Sequence, residues 1–253
     1  MLSANMPGEL RGDQRRRRGD QRWRDRADVV VVGAGFGGIG AALTLAEAGA
    51  DVVLLEALNY PGGCASTFSR DGYRFEAGAT LFCGFAEGQP MQRWIERHGL
   101  DVAVDWLDPV IELRTPTLAL PIDRDREAFV ARMCGLPDAP EEGVKRFFTR
   151  QRQVADALWA LFDDPSLLPP FGLTALATHL RRSPRYLPLL PLLGTPLGAL
   201  LRRDGLADFA PIRILMDALC QITVQTDAAT AEAPFALAAT DYTFRGTAHV
   251  RDG

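Results

Sequence analysis

The stretch Val29-Val30-Val31-Val32-Gly33-Ala34-Gly35-Phe36-Gly37-Gly38 decides the fold. Four β-branched residues in succession predict a buried strand, because their stiff side chains suit an extended backbone. Gly33, Gly35 and Gly38 then form a G-x-G-x-x-G turn, with Ala34 and Gly37 between them. Ile39, Leu43 and Ala46 recur at helical spacing, so an Ala-rich helix is expected over 39–48, with Gly49 stopping it and a second strand over 51–55. Val29 to Ala46 is also an 18-residue run without charge beside an arginine cluster, the outline of a signal peptide or a short membrane span. Five glycines, the bracketing Asp28 and Glu47, and the change of period inside the run argue against a span. A strand, a glycine turn, a helix and a second strand fit it better.

Each part of that unit has a chemical use. Gly33 permits the tight turn, Gly35 lets a pyrophosphate approach the backbone, and Gly38 lets the helix lie against the strand. The helix N-terminus offers N–H groups and partial positive charge to phosphates. Glu56 closes the second strand 23 positions after Gly33, where a carboxylate accepts hydrogen bonds from a ribose diol and repels a 2′-phosphate. FAD or NAD is therefore favoured over NADP. Six residues on, Gly62-Gly63 stands in Tyr60-Pro61-Gly62-Gly63-Cys64-Ala65-Ser66-Thr67-Phe68. A simple NAD domain has no need of this second pair, whereas a cofactor extending to a flavin does. Arg70-Asp71-Gly72-Tyr73 reads as a turn between strands, and Phe75-Glu76-Ala77-Gly78-Ala79-Thr80 comes next.

Over residues 27–85 this run resembles the FAD-dependent phytoene desaturase and carotenoid isomerase family, most of all its carotenoid 3′,4′-desaturase-like and carotenoid isomerase-like members, within the wider amine-oxidase-like flavoenzymes. The resemblance implies that Gly33, Gly35, Gly38 and Glu56 hold the ADP half, and that Gly62, Gly63, Ala79 and Thr80 lie by the pyrophosphate and the flavin ring. Many amine-oxidase relatives carry Arg where Cys64 stands; Cys64 is expected as a small packed residue. The implied fold is α/β, a Rossmann-type FAD-binding domain with an inserted, mainly helical α+β substrate domain. The expected boundaries are a tail over 1–26, the FAD-binding part over 27–105, a substrate- and membrane-facing part over 106–234, and a return toward the FAD domain from 235.

Composition supports a globular chain: 253 residues, 47% hydrophobic and 24% charged. The net charge of −4 excludes a generally basic nucleic-acid binder. Residues 1–26 hold eight Arg against four acids, repeat Gly-Asp-Gln-Arg at 12–15 and 19–22, and read as a disordered, solvated tail. The four cysteines, at 64, 83, 134 and 220, form no C-x-x-C pair and have no His at ligand spacing. No metal site or disulfide framework is expected, and a reducing, cytoplasmic compartment is the default. No Ser-His-Asp set or carboxylate pair emerges and the catalytic residues stay unknown, as suits an enzyme whose cofactor carries the chemistry. His98 and His179 read as helical surface or core residues, and His249 as part of a turn-rich end. Oligomeric state stays open.

Strands are expected near 109–114 and 118–122, with Pro116 and Pro121 marking turns. A core-facing helix is expected over 141–162, burying Val144, Phe147, Phe148, Ala155, Leu158 and Phe162. Residues 165–203 carry 13 Leu, seven Pro, five Arg and no acid. Seven prolines exclude a straight membrane helix. Two readings stand side by side: peripheral contact with an anionic bilayer at the inner face of the membrane, from which an apolar isoprenoid or carotenoid is drawn, and a cap on the protein's own core. Asp241-Tyr242-Thr243-Phe244-Arg245-Gly246 resembles the point where family members return to the FAD domain. By that resemblance relatives are roughly twice as long, the C-terminal return segment is missing, and this chain is expected to retain FAD poorly. The resulting expectation is a flavin oxidoreductase that desaturates or isomerises a carotenoid. Its rivals are an amine-oxidase-like enzyme on another substrate and an inactive FAD-domain fragment.

Overall fold

A computed structural model describes residues 26–164, 167–169 and 172–251. The arginine-rich tail expected over 1–26 thus lies, but for Arg26, outside the described residues. The chain divides into two compact units, which meet between Ala79 and Thr80.

In the first unit, β1 (Val29–Val32) and β2 (Val52–Leu55) pair in parallel, Val29 opposite Val52 and Val32 opposite Leu55. They are joined by α1 (Phe36–Glu47). The helix starts three residues earlier than the periodicity suggests. Phe36, Gly37 and Gly38 form its first turn, where backbone N–H groups have no intrahelical partner in any case. It ends as expected at Gly49, whose φ is +92°, with Ala50 N–H reaching back to the Leu45 carbonyl at 3.1 Å. β1 is not buried on both faces. Val30 and Val32 are exposed, because among the described residues the sheet has two strands and α1 lies on the Val31 side. Further along, a hairpin sets β3 (Thr67–Arg70) against β4 (Tyr73–Glu76), turning through Asp71 and Gly72, both at positive φ as a two-residue I′ turn requires.

The second unit is largely helical, with two small antiparallel sheets. β5 (Val104–Asp105) pairs with β8 (His249–Val250), and β6 (Ile111–Arg114) with β7 (Ala119–Ile122). His249 is therefore a strand residue. Pro121 stands inside β7 opposite Glu112, and is tolerated there because a two-stranded ribbon has only edges. The helices are α2 (Pro90–His98), α3 (Arg126–Cys134), α4 (Glu141–Phe162), α5 (Leu173–Tyr186), α6 (Leu197–Arg203), α7 (Ala210–Thr223) and α8 (Ala233–Thr240). A 3-10 turn over Leu187–Leu192 links α5 toward α6. α4 packs along α8, and Phe129, Phe147, Ile212, Met216 and Leu237 are fully buried around them. The expected face of α4 is buried except Phe162, which at the helix end stays exposed. A Cβ on Gly143 would stand 2.2 Å from the Asp204 carbonyl, so only glycine lets α4 approach the end of α6 this closely.

Polar groups are also closed into this core. The Asp241 carboxylate is fully buried between Arg126 and Arg245, and Arg245 reaches Asp156 at 2.6 Å. Gln151 donates to Thr240 Oγ1 at 2.9 Å and accepts from Arg126 at 3.3 Å. The Arg126 guanidinium lies 4.4 Å over the Phe244 ring.

Candidate functional site

The glycine loop stands at the tips of β1 and β2. Gly33 takes φ +97°, which an L side chain resists, and its N–H donates to the Leu55 carbonyl at 2.7 Å. Gly35 is extended and caps α1 without a side chain. A Cβ on Gly38 would fall 1.8 Å from the Gly33 carbonyl oxygen and 3.6 Å from Val31 Cγ1, so α1 rests directly on the turn. Ala34 is buried, whereas Gly37 is exposed with nothing within 4 Å of a built Cβ.

Glu56 directly succeeds β2 and grips this loop. Its Oε2 accepts the Ala34 N–H at 2.7 Å and its Oε1 the Leu58 N–H at 2.9 Å. The Leu58 and Ala34 amides together hold its carboxyl below the ordinary carboxylate value. Glu56 remains exposed, and each carboxylate oxygen can accept a further hydrogen bond.

The second glycine pair lies against the first. Gly62, at φ +113°, donates its N–H to the Ala34 carbonyl at 2.7 Å and bridges Gly35 in parallel. A Cβ on Gly63 would meet Gly35 Cα at 3.2 Å. Two glycine backbones therefore run side by side at the N-terminus of α1. The 3-10 turn Gly63–Ala65 is fixed from below by buried Ser66, whose Oγ donates to the Gly63 carbonyl at 2.7 Å. Ala79 N–H donates to the Cys64 carbonyl at 2.9 Å, and a Cβ on Gly78 would come within 2.9 Å of that same oxygen. The Cys64 backbone is thus packed while its side chain is exposed, contrary to the expectation of a packed thiol.

Gly33, Ala34, Gly35, Gly38, Glu56, Gly62 and Gly63 are accordingly drawn together, with Ala79 beside the Cys64 turn. Thr80 is exposed and opens the second unit. Sequence reasoning missed Ser66 and the close approach at Gly78. Both stand in the quoted motifs, but only the fold shows what they touch.

In the second unit a cleft of about 690 Å³ lies between α3 and α4, floored by Val130, Ala131 and Phe148 and rimmed by Arg126, Lys145 and Arg152. A second groove, of about 650 Å³, runs between α4 and the 187–192 turn. Burial raises the thiols of Cys83 and Cys134 and pushes Cys220 up to about 11. Burial also raises the Asp241 carboxyl, with Arg126 and Arg245 opposing it. Among the described residues no cluster of His, Cys, Asp and Glu could hold a metal ion, and no helix is long and apolar enough to cross a membrane.

An NAD(P)-binding Rossmann-like domain family matches residues 31–97, the stretch that holds most of this loop system. Prolycopene isomerase 2, chloroplastic, of an Oncidium hybrid cultivar is 29% identical over 147 residues, 53% of this chain and 24% of that protein. A carotenoid 3,4-desaturase of Haloarcula japonica is 53% identical over 55 residues, 22% of this chain and 11% of that protein. The chain is a distant relative of carotenoid desaturases and isomerases. Its fold is similar to part of a putrescine oxidase solved with putrescine bound, at TM-score 0.53 and 18% identity, covering 90% of this chain and 46% of that one. The chain therefore spans about half of that structure, and the matched stretch about a quarter of the isomerase.

Proposed function

We propose that the chain is part of an FAD-linked oxidoreductase that desaturates a carotenoid, or isomerises it between cis and trans. The observation that carries the choice of FAD is the second glycine pair, laid against the first so that neither Gly35 nor Gly63 places a Cβ between two backbones. An NAD(P) site of the simplest kind needs only the first pair. The residues fit a flavin dinucleotide. The first turn of α1 offsets pyrophosphate charge, Glu56 accepts from ribose hydroxyls, and Gly62–Gly63 leaves room for a cofactor that extends past them. A bound flavin supplies the redox chemistry, accepting or returning hydride. The protein positions the substrate, and a polyene offers few groups to hydrogen-bond, so apolar walls must orient it. The matched prolycopene isomerase and carotenoid desaturase support this substrate class. A substrate insoluble in water also favours peripheral contact with an anionic membrane at the cytoplasmic face.

Titration of the purified chain with FAD, NADH and NADPH tests the cofactor. Saturable binding is expected for FAD, weaker for NADH and weakest for NADPH because of Glu56. NADPH binding equal to or tighter than that of FAD would overturn the reading. A panel of polyenes and amines, supplied with the flavin-loaded protein, tests the substrate. Turnover of amines alone would leave the amine-oxidase-like alternative standing.

A further inference from the structure

Helix α5 turns its largest apolar residues outward. On its inner side Ala175 is buried, His179 meets the Leu167 carbonyl at 2.9 Å, Arg182 donates to the Ala160 carbonyl at 3.4 Å, and the Tyr186 ring lies 6.0 Å from the His179 ring. The opposite side carries Leu173, Leu176 and Leu180, exposed at 88%, 52% and 69%, and then Leu187, which caps the helix and is exposed at 58%. A surface helix of a globular chain does the reverse and turns its apolar stripe to the core. The row passes through Pro184 without a loose end. The Leu180 carbonyl, which Pro184 leaves without its helical N–H, accepts from Ser183 Oγ at 2.8 Å.

The row has a symmetry of its own. Leu173 and Leu187 stand seven residues to either side of Leu180, and Leu176 and Pro184 stand four to either side. Offsets of four and seven return to the same face of an α-helix. Two copies of α5 laid antiparallel, with a two-fold axis at Leu180, therefore match apolar side to apolar side. Leu180 meets its own copy, Leu173 meets Leu187, and Leu176 meets Pro184. A two-fold contact demands such self-complementarity, because residue i must suit j and j must suit i. The charges are placed to suit it as well. At about 100° per residue, Arg181 and Arg185 stand a quarter turn or more from the row, and Arg182 is on the inner side. No cation of α5 thus faces across the axis. An acidic partner or an anionic surface would instead be met by cations inside the contact.

We propose that this face pairs two copies of the chain, α5 against α5 in antiparallel order, with Leu180 on the two-fold axis. The seam from Leu173 to Leu187 is about 21 Å long. That puts the pair at the low end of standard interfaces, about 1,200 Å² in total, and a reversible dimer with a micromolar dissociation constant is expected. The proposal goes beyond the flavin reading and rests on no part of it.

Sedimentation equilibrium of the full chain, from about 1 to 100 µM, tests it. Wild type is expected to pass from monomer to dimer across that range. Salt at about 0.5 M should leave the pair intact, since it screens only the arginines beside the seam. Leu180→Arg sets two like charges on the axis and should raise the dissociation constant more than about 100-fold, as should Leu180→Glu. Mixed in equal amounts, these two variants should recover a heterodimer, because position 180 faces position 180 only on the axis. Leu180 is exposed, so the fold should tolerate both changes, and an unchanged circular dichroism spectrum and urea midpoint would show it. Wild type that stays monomeric throughout the range overturns the pairing. A dimer that survives both variants is built elsewhere and overturns it too. Variants that remain monomeric when mixed overturn the antiparallel seam. Wild type that is monomeric in solution but floats with vesicles of phosphatidylcholine and phosphatidylglycerol, and no longer does so as Leu180→Glu, would give the face to a bilayer and likewise overturn it.

Discussion

Gly37 and Gly38 are neighbours in the first turn of α1, and the same substitution at each has opposite expected consequences. At Gly38 the added methyl would lie 1.8 Å from the Gly33 carbonyl oxygen, where real Cβ atoms do not come within 3.0 Å. The obstacle is backbone, and Gly33 is itself tied to Leu55, so α1 must retreat by more than an ångström. Overpacking of this kind costs about 1–3 kcal/mol, and the rigid obstacle places Gly38→Ala near the upper end. At Gly37 a built Cβ meets nothing within 4 Å and the residue is exposed, so Gly37→Ala gains about 0.5–1 kcal/mol by restricting the unfolded chain. Amide hydrogen exchange over 29–55 reads the first unit directly. Protection of the β1–β2 ladder should fall about 100-fold or more in Gly38→Ala and rise about two- to fivefold in Gly37→Ala. FAD affinity should fall more than tenfold in Gly38→Ala, because the helix N-terminus no longer faces the phosphates from its place on the turn. Equal protection in the two variants would refute the reasoning, since it would mean that α1 does not rest on Gly33.

Asp241→Ala removes the buried counter-ion of Arg126 and Arg245. Breaking a buried pair costs about 3–5 kcal/mol, and the low end applies because Arg245 keeps Asp156 and Arg126 keeps Gln151. A urea midpoint lower by about 1 M is the expected reading. Asp123 is held below its ordinary carboxylate value of 3.8 by hydrogen bonds from Arg132, so its stabilisation is complete above that value and is lost as pH falls through the folded-state value. Asp123→Asn should therefore cost about 0.5–1 kcal/mol at neutral pH, discounted for the exposed Arg132, and the gap from wild type should close in acid. Native thiol labelling near neutral pH should modify exposed Cys64 first and Cys220 last, since Cys220 is buried and its thiol is raised to about 11; simultaneous labelling would refute the assigned burial.

The parts of the fold legible in the sequence are those that local chemistry decides. The β1–turn–α1–β2 unit lies within 27 residues, and Gly33, Gly38 and Gly49 in it answer constraints of turn, close approach and helix end set by neighbours a few positions away. The helix of 141–162 is legible for the same reason, since a few turns of α-helix suffice to express its period. The details that differ depend on partners far along the chain. Whether Val30 and Val32 are buried is set by how many strands flank β1, which no period records. His249 becomes a strand residue only because it pairs with Asp105, and Asp241 becomes buried through Arg126, 115 positions earlier. Cys64 departs from expectation because small size does not by itself bring burial; its carbonyl is the part that the fold encloses.

Glu56 makes contacts that its position in the sequence does not reveal. Its spacing from Gly33 is the ground for proposing it as a ribose acceptor, and the structure gives the same carboxylate two backbone donors, Ala34 and Leu58. The Ala34 N–H is thereby committed, so under the proposed function phosphate recognition would fall to the first turn of α1 and not to the loop's middle amide. The carboxylate also ties Leu58, two residues on, to Ala34, between the first two glycines, which under the proposed function would set the distance between the ribose and pyrophosphate positions before any ligand arrives. Such preorganisation spares a ligand the cost of ordering the loop. It separates two variants: Glu56→Gln keeps one carbonyl acceptor and should retain part of the FAD affinity, whereas Glu56→Ala should lose affinity and also raise hydrogen exchange at Ala34. If Glu56→Ala left exchange at Ala34 unchanged while FAD binding fell, the carboxylate would serve the ribose alone and the clamp would have no energetic weight.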